Sequence, residues 1–274
     1  MPFFVIWGGM SMGDPTRSIG EIKELLKTVN AEELAVLEAE LASDTRKGVA
    51  QAIAACHRRI EREEAERARL GALYAYEREL AHGKVVVGLD EVGRGPLAGP
   101  LSVGAVVLDL QAELLVGLND SKQIPEEKRA PLAEKIKASA RAYAVVHIPP
   151  QDIDELGIMA CLKTAFTRAI VQIEEQGVRP EVVLLDGNPL GIDPREINVV
   201  KGDGRCASIA AASIIAKVER DALMVDYDRL YPGYDFASSK GYGSAKHRSA
   251  IQEKGLSPIH RVSYCTNFTQ ERLF

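Results

Sequence analysis

Four acids carry the chemistry this sequence offers: Asp90 and Glu91 in GLDEVGRG, Asp186 in LLDGN and Asp203 in KGDG. Each lies at the end of a short apolar run: KVVVGL before Asp90, EVVLL before Asp186, INVV ahead of Asp203. Ligands of open α/β sheets gather at the carboxyl ends of strands. Carboxylates without a Cys or His pair beside them suit Mg²⁺ or Mn²⁺ and not zinc. Two such ions can flank a phosphodiester, one activating water and the other stabilising the leaving oxygen. The pair Asp90-Glu91 is ambiguous by itself, because adjacent strand residues point to opposite faces. Either both reach one ion, Glu91 through its carbonyl or a bent side chain, or the pair is a polar strand end entering a turn. Asp221, in KVERD, competes with Asp203. If Cys206–Leu230 is one helix, Asp221 lies roughly 20 Å along it, too far to share an ion with Asp203. Asp203 is therefore preferred, and Asp221 is expected to pair with Lys217 or Arg220.

The elements that must position these acids follow from periodicity. Residues 1–15 are loose, and Met10 or Met12 is a candidate start. From Ser18 to about His82 the pattern is helical: Ile22, Leu25 and Leu26 share a face, as do Leu34, Leu37 and Leu41. Ser43-Asp44-Thr45 offers a cap for a third helix from about Arg46. Its charged stretch Arg58–Arg69 reads as a solvated face with i,i+4 pairs. Strands are expected at Lys84–Leu89, Leu101–Leu110, Arg141–Ile148, Glu181–Leu185 and Ile197–Val200. Helices are expected from Pro125 to about Ala140, over Leu156–Gln176 and over Cys206–Leu230. Interleaved strands and helices mean an α/β core. The domains are read as a helical extension, 1–83, and a catalytic domain, 84–274.

From about Lys84 to Tyr264 the sequence resembles the bacterial type 2 ribonucleases H, ribonuclease HII. The blocks that carry the resemblance are GLDEVGRGPLAGP, LNDSKQI, IDELGI, LLDGN, VVKGDGRCASIAAASIIAKVERD, KGYGSAKH and HRVSY. It implies an α/β, ribonuclease H-like fold with a mixed five-stranded sheet flanked by helices, plus the small N-terminal helical domain and a helical C-terminal region. It implies an endoribonuclease that uses Mg²⁺ or Mn²⁺. The substrates would be the RNA strand of RNA–DNA hybrids and single ribonucleotides in duplex DNA, cut on their 5′ side to leave 3′-hydroxyl and 5′-phosphate ends. The family's catalytic and metal-holding carboxylates fall on Asp90, Glu91, Asp186 and Asp203. Its GRG, whose backbone meets the 2′-hydroxyl that separates RNA from DNA, falls on Gly93, Arg94 and Gly95. The tyrosine that stacks on the junction sugar falls on Tyr242, and Lys122 and Ser208 look like phosphate contacts. The sister ribonuclease HIII typically has GKG and a final Glu, so Arg94 and Asp203 favour HII. An EIKELL-like start, here Glu21–Leu26, accompanies similar extensions in some members; it either helps hold substrate or a partner, or stabilises the fold.

Other signals bear on this reading. The net charge of −5 counts mildly against a nucleic-acid partner, unless bound cations invert it locally. Gly93–Ala98 formally fits a dinucleotide fingerprint, but Gly99-Pro100 follows where a helix must open. A hybrid-binding module without catalysis is disfavoured because all four acids are present. Lys240, Lys246, Arg248, Lys254 and Arg261, near Tyr242 and Tyr264, form a candidate phosphate-tracking surface. His247 and His260 either touch phosphates, cap helices or pack. Cys56, Cys161, Cys206 and Cys265 are scattered, which suits reduced thiols in a cytoplasmic protein. No apolar run is long enough to span a membrane, and a monomer is expected. Gln270–Phe274 (QERLF) is similar to peptides that dock on bacterial sliding clamps; the alternatives are packing on its own domain or disorder.

Overall fold

The structure, a computed structural model, describes residues 17–269. They form two compact units, divided between Arg67 and Ala68. In the first, α1 (Ile19–Leu25) and α2 (Ala31–Glu40) are joined by the opening of α3 (Lys47–Ala81). Both short helices start on capping boxes, Ser18 with Glu21 and Asn30 with Glu33, which satisfy amides that no turn can reach. Ile22, Leu26, Leu34, Val49, Ala52, Cys56 and Ile60 make its core. The charged run on α3 behaves as expected, with Arg59 paired to Glu63 one turn on.

The unit boundary falls inside α3, earlier than the 83/84 junction suggested by composition. The reason is packing: Leu70, Leu73 and Tyr74 belong to the core of the second unit.

That second unit holds β1 (Val86–Val92), β2 (Leu101–Val107), α4 (Glu126–Ser139), β3 (Ala142–Ile148), α5 (Pro150–Leu156), α6 (Ile158–Glu175), β4 (Val182–Asp186), β5 (Glu196–Val199), α7 (Ala207–Leu230), α8 (Phe236–Ser239), α9 (Ala245–Lys254) and α10 (Val262–Thr269). The sheet order is β3-β2-β1-β4-β5. Strands β1, β2 and β3 pair antiparallel, while β4 and β5 run parallel to β1. This is the expected mixed five-stranded sheet with helices on both faces. Helix α6 covers one face, through Phe166, Ala169 and Ile173 against Val87, Leu89, Val103 and Val183. Two details differ from expectation. The helix expected over Leu156–Gln176 is α6, and a further short helix, α5, precedes it across Gly157. Strand β1 does not stop at Leu89, because Asp90 and Glu91 continue the ladder opposite Gly104 and Val103.

The other face takes α7, whose small residues let it approach the sheet backbone closely. A side chain at Gly88 would collide with Ser208 and the Ile209 amide, and one at Gly104 would meet the Ala212 carbonyl. Gly88→Ala should therefore cost about 2–3 kcal/mol, the scale of overpacking against fixed backbone. Urea denaturation checks this, and an unchanged midpoint would show that α7 can stand off at no cost.

Candidate active site

The register builds the site. Leu89 lies opposite Leu185 on parallel strands, so one step further sets Asp90 beside Asp186, the last residue of β4, on the same face of the sheet. That face is the one α7 covers. Asp90 is 7% exposed, and its Oδ1 accepts the Glu91 amide at 2.8 Å. It also shares a hydrogen bond with the Ser213 hydroxyl of α7, which lies 2.9 Å from that of Ser121 in the NDSK loop. Asp186 accepts the Gly202 amide through Oδ1. This fixes the turn Gly202–Gly204 that carries Asp203. Asp203 is half-buried there, ahead of α7.

The electrostatics say what this cluster lacks. Burial, and then repulsion from Glu91 and Asp186, raises the Asp90 carboxyl to about 8. Glu91 is raised by burial and by Asp186, against the pull of Arg94 and Lys122. Asp203 is raised by burial, then by Asp120 and Asp186. Burial pulls the exposed Lys122 down, but Asp120, Asp203, Asp90 and Asp186 outweigh it and raise the ammonium. Carboxylates held together in partial burial favour a cation among them. Among the described residues, no three His, Cys, Asp or Glu side chains already form a cage for an ion. The all-oxygen donor set still fits a hard divalent cation.

The loop after β1 is held from behind. Gly93 has φ 83°, and a side chain there would strike the Arg220 guanidinium. Arg220 of α7 is fully buried and donates to the carbonyls of Pro100 (2.9 Å), Ala98 (3.3 Å) and Lys240 (2.9 Å). Arg261, also fully buried, donates to the carbonyls of Gly99 (2.9 Å), Arg94 (3.0 Å) and Gly93. Arg94 and Gly95 are exposed, and the Arg94 guanidinium lies 3.7 Å from Glu91. The amides of Leu97 and Ala98 donate to the Gly241 carbonyl, which brings the next residue, Tyr242, to the same loop. The Tyr242 ring is 45% exposed, 6.0 Å from the Arg220 guanidinium.

Several expectations need correction. Ser208 is fully buried, with its amide donating to Glu77 at 2.8 Å, so it is not presented to a phosphate. Arg261 supports the loop from inside and is no part of a phosphate-tracking surface. For His247 and His260 the packing alternative holds: they are buried against each other, 3.0 Å apart. Lys240 is mostly covered, whereas Lys246, Arg248 and Lys254 are exposed. Asp221 pairs with Lys217 at 2.8 Å, one of its two expected partners, while Arg220 donates to backbone carbonyls. Sequence reasoning also missed Ser213 and Glu77. The Glu77 carboxylate accepts the first amides of α7, Ala207 and Ser208. It supplies the cap that the Cys206 side chain does not.

A model of the Ribonuclease HII family matches residues 87–267, and one of the Ribonuclease HII N-terminal domain matches residues 18–81. The chain belongs to the ribonuclease HII family. It is thus a hydrolase of the ribonuclease H type, an endoribonuclease directed at RNA–DNA hybrids. Ribonuclease HII of Archaeoglobus fulgidus, solved as a complex with PCNA, is 27% identical with a TM-score of 0.58, over 69% of this chain and 98% of that one. Ribonuclease H2 of Pyrococcus horikoshii OT3 is 26% identical with a TM-score of 0.59, over 68% and 100%. Bst-RNase HIII, solved with Mn²⁺, is 23% identical with a TM-score of 0.53 over 65% and 66%, and shares the fold. Both ribonuclease HII segments are therefore present, and the second carries Asp90, Glu91, Asp186 and Asp203.

Proposed function

We propose that this ribonuclease HII cuts on the 5′ side of ribonucleotides embedded in duplex DNA, as well as within the RNA strand of hybrids, leaving 3′-hydroxyl and 5′-phosphate ends. The observation that carries the proposal is the convergence of three features. Asp90 stands beside Asp186, the Gly93–Gly95 loop follows directly on β1, and Tyr242 is tied to that loop through Gly241.

Asp90, Glu91, Asp186 and Asp203 would hold Mg²⁺ or Mn²⁺, which supplies an activated water and a counter-charge for the departing 3′-oxygen. The protein's own residues do the positioning. The backbone of Gly93, Arg94 and Gly95 meets the ribose 2′-hydroxyl, the group a DNA strand lacks. Tyr242 stacks on the sugar at the junction. Lys122 contacts a phosphate, and its ammonium is kept charged by the acids around it. No protein nucleophile is needed for direct attack by water.

Incubation with a DNA duplex containing one ribonucleotide should give a single nick on its 5′ side with Mg²⁺ or Mn²⁺, and none with EDTA. Intact duplex in both arms would sink the reading.

We also assign Gln270–Phe274 as a docking peptide for a sliding clamp; these residues lie outside those described. The A. fulgidus relative was solved with PCNA, and the adjacent apolar residues Leu273 and Phe274 suit a groove. Removing the five residues should abolish pull-down by a clamp and spare cleavage; retained pull-down would refute it. Among the described residues no helix is long and apolar enough to cross a membrane. All four cysteines are buried and none is joined in a disulfide, in keeping with action in the cytoplasm, where thiols stay reduced.

A further inference from the structure

His247 and His260 lie in a closed apolar setting. The Phe236 ring is 5.2 Å from one and 5.5 Å from the other, and Tyr234 is 5.0 Å from His260. The contacts at the far ends of the two rings decide where the protons sit. The Ser257 amide donates to Nδ1 of His260 at 2.8 Å. That nitrogen therefore carries no proton, and in a neutral ring Nε2 must carry it. The Tyr242 carbonyl lies 2.9 Å from Nδ1 of His247. A carbonyl only accepts, so this nitrogen is the protonated one and Nε2 of His247 is bare. The two remaining tautomers match: His260 donates from Nε2 to Nε2 of His247 across 3.0 Å. Hydrogen bonds thus run one way, from Ser257 through His260 and His247 to Tyr242. A proton added to either ring would set two N–H groups face to face. Burial opposes that by pushing both imidazoles below their ordinary range, His260 to about 4.

The chain of hydrogen bonds ends on the backbone of the residue assigned to the substrate sugar. His260 is followed directly by Arg261, whose guanidinium holds the carbonyls of Gly93, Arg94 and Gly99. Two consecutive residues therefore hold the two elements that would meet the ribose.

We propose that His247 and His260 are positioning residues for substrate recognition, a one-way imidazole relay that fixes the Tyr242 backbone and through it the placement of the Tyr242 ring. The proposal rests on the reading of Tyr242 as the sugar-stacking residue.

The test compares KM and kcat on a duplex with one ribonucleotide for Tyr242→Ala, His247→Ala, His247→Asn and the double variant Tyr242→Ala/His247→Ala. His247→Ala should raise KM by about tenfold with kcat much less affected, as expected for lost binding geometry. The double variant should be no worse than Tyr242→Ala, because the relay acts only through that residue. His247→Asn, whose amide can donate to the carbonyl from nearly the position of Nδ1, should recover most of the loss. Multiplicative effects in the double variant overturn the relay while leaving Tyr242 in place. A silent Tyr242→Ala overturns the reading of Tyr242 and the relay's role together. Nitrogen NMR of the wild-type imidazoles tests the relay without kinetics: His247 should be protonated at Nδ1 and His260 at Nε2, and the reverse pattern overturns it.

Discussion

Asp90→Asn is expected to remove metal-dependent cleavage, by on the order of a thousandfold or more, while making the metal-free protein harder to unfold at pH 8. The first effect follows from position: Asp90 stands beside Asp186 in the acid cluster proposed to hold the ion, and an amide cannot replace a charged ligand there. The second follows from burial. The Asp90 carboxyl is raised from 3.8 to about 8 in the fold. Below about pH 4 it is neutral in both the folded and the unfolded chain, and folding carries no penalty for it. As pH rises toward 8 the unfolded chain releases its proton freely while the fold resists, so stability falls across that window. Every tenfold difference in proton affinity between the two states is worth about 1.4 kcal/mol, and relaxation around the site will absorb part of it. Asparagine never ionises, so the variant should gain about 2 kcal/mol or more at pH 8 and almost nothing at pH 4. Melting in EDTA at the two pH values checks this. Added Mg²⁺ should then stabilise the wild type far more than the variant. An equal melting temperature at pH 8 would refute the buried-charge account, and retained cleavage would refute the role of Asp90.

Arg261→Ala should produce the largest loss of stability of any single change to the loop supports. Its guanidinium is fully enclosed and is satisfied by backbone carbonyls of Gly93, Arg94 and Gly99. Truncation strands the Gly93 and Gly99 carbonyls, leaves that of Arg94 with only the Tyr264 hydroxyl at 3.3 Å, and opens a cavity, a combined cost of about 3–5 kcal/mol. Arg261→Lys should recover little, because one ammonium cannot reach three carbonyls that a planar fork spans. Function should suffer beyond stability. The Gly93–Gly95 loop would lose its support, and nicking at a ribonucleotide should fall about a hundredfold even well below the variant's melting temperature. Urea midpoints and single-turnover nicking rates measure the two effects separately. Recovery of both by lysine would show that charge, and not the carbonyl clamp, is what Arg261 supplies.

The parts of this molecule that were legible in its sequence are those with a local signal. Asp186 and Asp203 follow apolar runs that do become β4 and β5, and the α/β pattern was plain from alternation. Helix length separates Asp221 from Asp203, the strand end favours Asp203, and the partner of Asp221 is Lys217. What escaped notice acts over long separations. Arg261 reaches carbonyls more than 160 residues earlier, and Arg220 reaches back 120. Neither leaves a periodic trace, and a charged residue ordinarily reads as surface. Ser208 differs for the same reason: a polar type in a matching block suggests contact with substrate, whereas burial assigns it to support, and burial also decides His247 and His260 in favour of packing. The continuation of β1 through Asp90 was hidden because only the pairing with β2 carries it.

Glu77 gives the boundary between the two segments a different meaning. It falls within the family's N-terminal domain, which ends at residue 81, yet its carboxylate closes the start of the helix that backs Asp90. The final turns of α3 therefore serve the catalytic unit, although the family boundary assigns them to the N-terminal domain. Any exchange of N-terminal segments among relatives has to carry over the final turns of α3 or provide a substitute for that carboxylate. The seam along which the chain can be recombined lies inside a helix, some residues earlier than the seam at which the sequence changes character.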